Sequence, residues 1–182
     1  MLLTNVENVK QYLGINSEQD DALLQSLVQS ASGFIQSWLN RQFELQEYTD
    51  VWDGTDLYTY MFKAYPVQSI SSVVVNSINV PASSGPKISG YAFDERRLVI
   101  RGNYTFLKGL LNCSVTYRAG FDDVPFEIEQ ACIELIANRY KEKDRIGLQS
   151  KGLAGETIAF SMKDMPADVK TILTNYKKVI PS

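Results

Sequence analysis

Apolar side chains recur along residues 17–40 with the period of a helix. Leu23, Leu24, Leu27, Val28, Ala31, Phe34, Ile35, Trp38 and Leu39 fall within an arc of about 160° at 3.6 residues per turn. Ser17 and Asp20 predict the start of that helix. Its opposite face, made of Gln25, Ser26, Gln29, Ser30, Ser32, Gly33, Gln36, Ser37 and Asn40, carries no charge. Solvated helix faces usually hold Lys and Glu pairs, whereas small uncharged polar side chains allow close approach of another protein surface. The face therefore reads either as a subunit contact or as a solvated face of weak helix formers.

A second helix is predicted over residues 124–144. Ile128, Ala131, Cys132, Leu135 and Ile136 form one apolar arc, and Glu127, Gln130, Glu134, Asn138 and Lys141 lie opposite. Pro125 suits its first turn, with Asp122 and Asp123 placed to cap it. Arg139 falls inside the apolar arc, so either its stem snorkels or pairs internally, or its guanidinium meets a neighbouring subunit. Thr4 with Glu7 has the form of a capping box for a short first helix ended by Gly14. Pro166 starts a last helix with Val169, Ile172, Leu173 and Tyr176 on one side.

Between these helices, over residues 44–118, the period changes to two. Residues 48–52 and 57–63 flank Asp53, Gly54, Thr55 and Asp56, which predicts a hairpin with Tyr58, Tyr60 and Phe62 on one face. Residues 69–75 and 78–80 join across Asn76 and Ser77, and 81–90 is a Ser/Gly/Pro loop. Residues 98–101 and 111–118 complete the set, the last alternating Leu111, Cys113, Val115 and Tyr117 against Asn112, Ser114, Thr116 and Arg118. A small antiparallel sheet or barrel follows. Gly147, Gly152 and Gly155 suggest a mobile loop over 147–160, with a short alternating stretch at 157–160.

The length of 182 residues, with 45% hydrophobic and 21% charged side chains, fits one globular body with a sizeable insertion. No apolar run approaches the roughly 20 residues of a membrane span, and residues 1–10 lack the pattern of a signal peptide, so the expected site of synthesis is the cytoplasm. Cys113 and Cys132 are expected as buried free thiols. A net charge of −3 argues against a general nucleic-acid-binding surface. The absence of histidine removes Ser–His and Cys–His nucleophile pairs, the histidine base and the usual zinc sets.

The remaining chemistry is thin. Gly147 and Gly152 have the spacing of a phosphate loop, but Leu153 and Ala154 follow where Lys and Ser or Thr are needed. Asp53 with Asp56, Asp94 with Glu95, and Asp122 with Asp123 are carboxylate pairs at turns or a helix start, where Asp is expected for local reasons. Lys141, Lys143 and Arg145 alternate with acids at a helix end. Trp52, Tyr58 and Tyr60 read either as cross-strand core pairs or as a stacking platform for a sugar or a single strand. No catalytic, metal or cofactor residue is assigned.

The order of parts carries a resemblance. A short helix NVENVKQYLGI, the helix DDALLQSLVQSASGFIQSWLNRQF, a β section with YPVQSISSVVVN and VTYRAGFDDVP, and then IEQACIELIANRYKEKDRIGLQSKGLAGETIAF together resemble the head–tail connector proteins of tailed bacteriophages, the gp6-like adaptor family. The likeness spans essentially the whole chain, and no single motif in it is diagnostic. It implies a virion structural protein, not an enzyme. Such adaptors assemble as a ring, dodecameric in the virion, beneath the portal protein, extend the DNA channel and give a downstream head-completion or tail-terminator protein a docking surface. DNA would pass without sequence-specific binding, and a mildly acidic wall suits that passage. The chain departs from the shortest family members in its β section, which puts their docking roles in doubt here and makes the ring's outer rim a place for it.

Pattern and resemblance together predict an α+β protein: an antiparallel bundle of about four helices, from residues 1–43 and 119–182, with an antiparallel β domain inserted at 44–118. The expected subunit interface is Gln25, Gln29, Ser32, Gln36 and Arg139. The expected portal or channel contacts are Lys151, Glu156, Phe160, Tyr176, Lys177 and Lys178. The expected location is the head–tail interface of the virion, with no membrane partner. The competing reading is a carbohydrate- or peptide-binding module on the aromatic sheet face, and a third is a carboxylate metallohydrolase.

Overall fold

The computed structural model describes residues 1–143 and 165–177, together with the backbone of 150–153 and 156–159. Among the described residues the fold is mixed α+β, with four helices and antiparallel sheets. It divides into two compact units, Met1–Gln42 with Val124–Lys178, and Phe43–Asp123.

In the helical unit, α1 (Val6–Leu13) is capped by Asn5, whose side chain accepts the Asn8 N–H at 2.8 Å. This corrects the expected Thr4 cap: the Thr4 hydroxyl instead donates to Glu129 at 3.1 Å. Gly14 ends the helix at φ 69°, a left-handed conformation that glycine adopts without a Cβ penalty. The second helix, α2 (Asp21–Leu39), begins four residues after Ser17, whose hydroxyl is taken by the Gln19 N–H. Asn40, at φ 50°, closes it.

Helix α3 (Phe126–Lys141) starts later than the expected 124, with Pro125 at the cap position rather than inside the first turn. Asp122 makes no cap; it accepts from Gln68 at 3.2 Å. The five predicted core positions of α3 are buried, and Ile133 and Ala137 join them. Asp20 at the start of α2 meets Tyr140 and Lys143 at the end of α3, while Ser32 lies beside Cys132, so the two helices run antiparallel. The final helix, α4 (Ala167–Thr174), buries Val169 and Leu173.

In the second unit, β1 (Gln46–Gly54), β3 (Val67–Val75), β4 (Ile78–Asn79) and β7 (Gly109–Ala119) form a four-stranded antiparallel sheet in the order β1-β7-β3-β4. Strands β2 (Thr59–Met61), β5 (Gly90–Phe93) and β6 (Arg97–Arg101) form a three-stranded sheet in the order β2-β6-β5. Val73, Val75, Cys113, Val115 and Tyr117 from the first and Leu98 and Ile100 from the second share one core with Phe62 and Phe106.

The β3–β4 hairpin forms where expected, through Asn76 at φ 49° and Ser77 at φ 65°, the two positive values of a type I′ turn. The expected hairpin across Asp53 to Asp56 does not form. β1 pairs with β7 and β2 with β6, because the turn residues bind a distant segment: Asp53 accepts the Leu111 N–H and Asp56 the Lys108 N–H. The predicted loop at 147–160 contains a strand pair, β8 (Ser150–Leu153) with β9 (Glu156–Ala159).

Candidate assembly surfaces

Helix α2 buries Leu24, Val28, Ala31, Ile35 and Leu39 as one seam. Opposite it, Gln25, Ser26, Gln29, Gly33, Ser37 and Asn40 are exposed, an outer strip of the helical unit with no charged side chain. Leu23, expected in the core, is exposed, because the buried stripe is turned toward Ser32.

Ser32 is a correction to the expected interface. It is 1% exposed, its hydroxyl accepts the Leu3 N–H at 3.0 Å, and it lies 3.9 Å from the Cys132 sulfur. A side chain enclosed by its own chain offers nothing to a neighbour. Gln36 is half-buried and donates to the Met1 and Ser32 carbonyls, so only its flank faces outward. Burial pushes the Cys132 thiol up to about 11, with Ser32 and Arg139 opposing, which keeps it a neutral core group. Cys113 is also buried and free, its thiol raised by burial and then by Asp53.

Arg139 sits on another flank of α2. Its guanidinium lies over the Phe34 ring, 5.3 Å from the centroid, and donates to the Ser30 hydroxyl at 3.4 Å. Burial lowers its affinity for the proton. The internal-contact reading of this residue is the one the structure fills, with an aromatic ring as partner. Arg139 thus borders the uncharged face of α2 at Ser30, which is exposed, rather than standing among Gln25 and Gln29.

Two of the expected portal or channel residues are engaged within the helical unit. The Tyr176 hydroxyl donates to Glu127 at 3.0 Å, its carbonyl accepts from Arg41 at 3.4 Å, and Lys177 lies over the Trp38 ring at 4.9 Å. Phe160 and Lys178 lie outside the described residues, as do the side chains of Lys151 and Glu156.

The aromatic face of the β unit turns inward. Trp52 stacks on Tyr60 at 3.8 Å and meets Phe106 edge-on at 5.3 Å, while Tyr60 and Phe62 form an edge pair. A stacking platform needs free ring faces, and these are covered by one another; Tyr58, 56% exposed, stands apart from the stack. Behind them Asp50, 6% exposed, accepts from the Tyr117 hydroxyl at 2.8 Å, the Tyr60 hydroxyl at 3.0 Å and the Lys63 N–H at 3.2 Å. This cluster was not foreseen; the one sign of it in the sequence is an Asp at an inward position of a strand.

Burial, reinforced by Asp50, raises both the Tyr60 and Tyr117 hydroxyls above the ordinary tyrosine value. The fold therefore holds two protons that the unfolded chain releases near pH 10.0. Stability from this source is complete below that pH and lost above it. The expected result is a denaturant midpoint that falls as pH climbs through about 10, with two phenolates appearing at 295 nm only on unfolding. A midpoint level through that range would contradict it.

The carboxylate pairs have local duties. Asp53 and Asp56 hold backbone N–H groups, and Asp94 accepts from the N–H groups of Arg96 and Arg97 at 2.9 Å. Among the described residues no three His, Cys, Asp or Glu side chains cluster as a metal site, and no helix is long and apolar enough to cross a membrane.

A family model of head completion proteins matches residues 2–179, all but the ends of the chain. The chain belongs to the head completion protein family. Its fold is shared with chains of solved GTA particles. A chain in the neck of a native GTA particle computed with C12 symmetry is 17% identical with a TM-score of 0.55, and one in the neck of an empty GTA particle computed with C6 symmetry is 18% identical at 0.55. In both, the alignment covers 97% of this chain and 90% of the other. A chain in the virion of a native gene transfer agent particle matches at 17% identity and 0.52. No curated protein matches the sequence. The strip on α2, free of charge along its length, is thus a surface of a head completion protein.

Proposed function

We propose that this head completion protein is a structural adaptor in the neck of a phage-like virion. Copies form a ring below the portal, extend the DNA channel, and present a docking surface for a later head-completion or tail protein. The observation that carries this reading is the family match across residues 2–179. The neck particles that share the fold were computed with C12 and C6 symmetry, which supports a cyclic assembly and a dodecamer in the virion. The chain is then a subunit repeated around the axis, made in the host cytoplasm and resident in the particle. The role is passive: the protein joins, spaces and seals, and DNA crosses it without sequence readout.

The uncharged strip of α2 fits the lateral contact of such a ring. Heterologous contacts place one surface of a subunit against a different surface of the next, and neutral Gln and Ser side chains dock there without stranding a charge. Gln25→Glu with Gln29→Glu tests it. Both positions are exposed, so unfolding free energy should shift by less than about 0.5 kcal/mol. Repeated around a ring, the added charges should abolish assembly, read by native mass spectrometry and electron microscopy. Rings formed as readily by the variant would remove this strip from the interface. The β8–β9 hairpin remains our proposed contact toward the portal.

A further inference from the structure

Gly33 stands in the middle of α2, on its uncharged outer strip, and nothing in its own fold asks for a glycine there. A Cβ at this position would meet no other described part of the chain within 4 Å. Glycine is the weakest helix former after proline, so α2 gives up stability to keep this place bare. Bare backbone on an exposed helix face lets another surface come close.

A ring needs two different surfaces on each subunit, of which the α2 strip supplies one. With twelve copies each turns by roughly 30° from the last, so the second surface has to lie nearly opposite the first. Helix α3 carries such a surface. It packs on α2 through Cys132, 3.9 Å from the Ser32 hydroxyl, and through Arg139, which crosses Phe34 and Ser30. At 100° per residue, Gln130, Glu134 and Lys141 point roughly away from that pair. On one side of them Glu129 takes the Thr4 hydroxyl and the Asn8 amide of α1, and on the other Glu127 takes the Tyr176 hydroxyl just after α4. Between these contacts Gln130 and Glu134 are half-buried, and Asn138 and Lys141 are exposed. The strips of α2 and α3 thus look away from each other across one compact unit.

Their charges are complementary. The Arg139 guanidinium, at the edge of the α2 strip, makes one hydrogen bond, to Ser30 at 3.4 Å, and meets no carboxylate among the described residues. The Glu134 carboxylate accepts the Gln130 amide at 2.9 Å and meets no cation among the described residues. Lys10 with Asp21 and Lys143 with Asp20, by contrast, pair inside the unit, each at 2.8 Å. A half-buried charge without a counter-ion costs the fold energy, and here a cation and an acid are left over on opposite sides of one body. Stacking a second copy behind the first brings them together. Around them Gln25, Gln29 and Ser37 face Gln130 and Asn138, donors and acceptors on both sides.

We propose that the α2 strip of one subunit packs helix on helix against the Gln130, Glu134 and Asn138 strip of α3 in the next copy, with Gly33 giving the room and Arg139 reaching Glu134. The contact is head-to-tail, the kind that closes a ring. It rests on the ring-forming reading above and names the surface that the α2 strip meets.

Charge exchange in the full-length chain tests it. Glu134→Arg and Arg139→Glu are each expected to abolish assembly, because like charges then face each other across the contact. A chain carrying both substitutions restores the pair and should form rings again. Assembly is read by native mass spectrometry, with and without the portal protein, on chains whose circular dichroism matches that of the unaltered protein. Gly33→Gln gives a variant that does not fail by unfolding: it should raise the thermal midpoint by about 3 °C and weaken ring formation roughly tenfold. Rings formed as readily by Glu134→Arg or by Gly33→Gln as by the unaltered chain would overturn this contact and leave the ring reading standing. A double variant that folds and does not assemble overturns it equally. If the unaltered chain forms no ring with or without the portal protein, both readings fall.

Discussion

Asp50→Ala is expected to destabilise the β unit by about 3 kcal/mol, a large share of the stability of a domain this size. The carboxylate is the shared acceptor of the Tyr60 and Tyr117 hydroxyls and the Lys63 N–H. Tyr60 belongs to β2 and Tyr117 to β7, so Asp50 ties the two sheets together across their common core. Alanine leaves three donors with no acceptor in a site that water barely reaches, and each unpaired group costs more than its hydrogen bond contributed. Asp50→Asn retains one acceptor oxygen and should lose roughly half as much. Trp52, stacked on Tyr60, reports the transition by fluorescence in a Trp38→Phe background. An alanine variant within about 0.5 kcal/mol of the unaltered protein would show that the cluster is not a structural tie.

Ser32→Glu is expected to unfold the helical unit. The position is enclosed by Leu3 and Cys132, so a glutamate there must either lose its charge or force the N-terminal segment off the helix. The expected cost is on the order of 5 kcal/mol, comparable with the whole stability of such a unit. Gln29→Glu, three positions earlier on the same helix and exposed, should leave the thermal midpoint nearly unchanged. The contrast is read by circular dichroism at 222 nm. Equal midpoints for the two variants would contradict the inward placement of Ser32.

These two residues mark where reading from sequence succeeds and where it stops. Helix periodicity is local, so the seams of α2 and α3 were legible, including every core position expected in α3. Periodicity gives an angle around the axis but not which neighbour arrives at that angle. Ser32 looked like part of the neutral strip because nothing in its own helix announces that the Leu3 N–H packs against it from 29 residues away. The same limit explains Thr4, whose hydroxyl serves Glu129 while Asn5 makes the cap.

Strand pairing is non-local and was harder to see. Asp53, Gly54, Thr55 and Asp56 have the composition of a hairpin turn, yet their side chains answer backbone groups at Lys108 and Leu111. The β1–β7 partnership that results joins residues about 60 positions apart, beyond the reach of any alternation pattern. Asn76 and Ser77 succeeded because a two-residue turn decides its own geometry. Leu111 was expected to alternate inward; the bulge opposite Gly54 turns it out, and with Leu110 it becomes surface. Of the expected assembly residues, Gln25 and Gln29 are presented outward, Ser32 is buried, and Arg139 and Lys177 rest on aromatic rings of their own unit. The family was legible in the order of the parts, because that order survives where individual side chains change.

Ring formation is the property on which the adaptor role depends. The direct measurement is native mass spectrometry of the full-length protein mixed with the portal protein of the same virion, followed by cryo-electron microscopy of the complex. The expected result is one closed ring of this chain, coaxial with the portal and built from a fixed number of copies, twelve in the virion. A complex in which the chain stays monomeric, or binds the portal at scattered sites without forming a ring, would contradict the account.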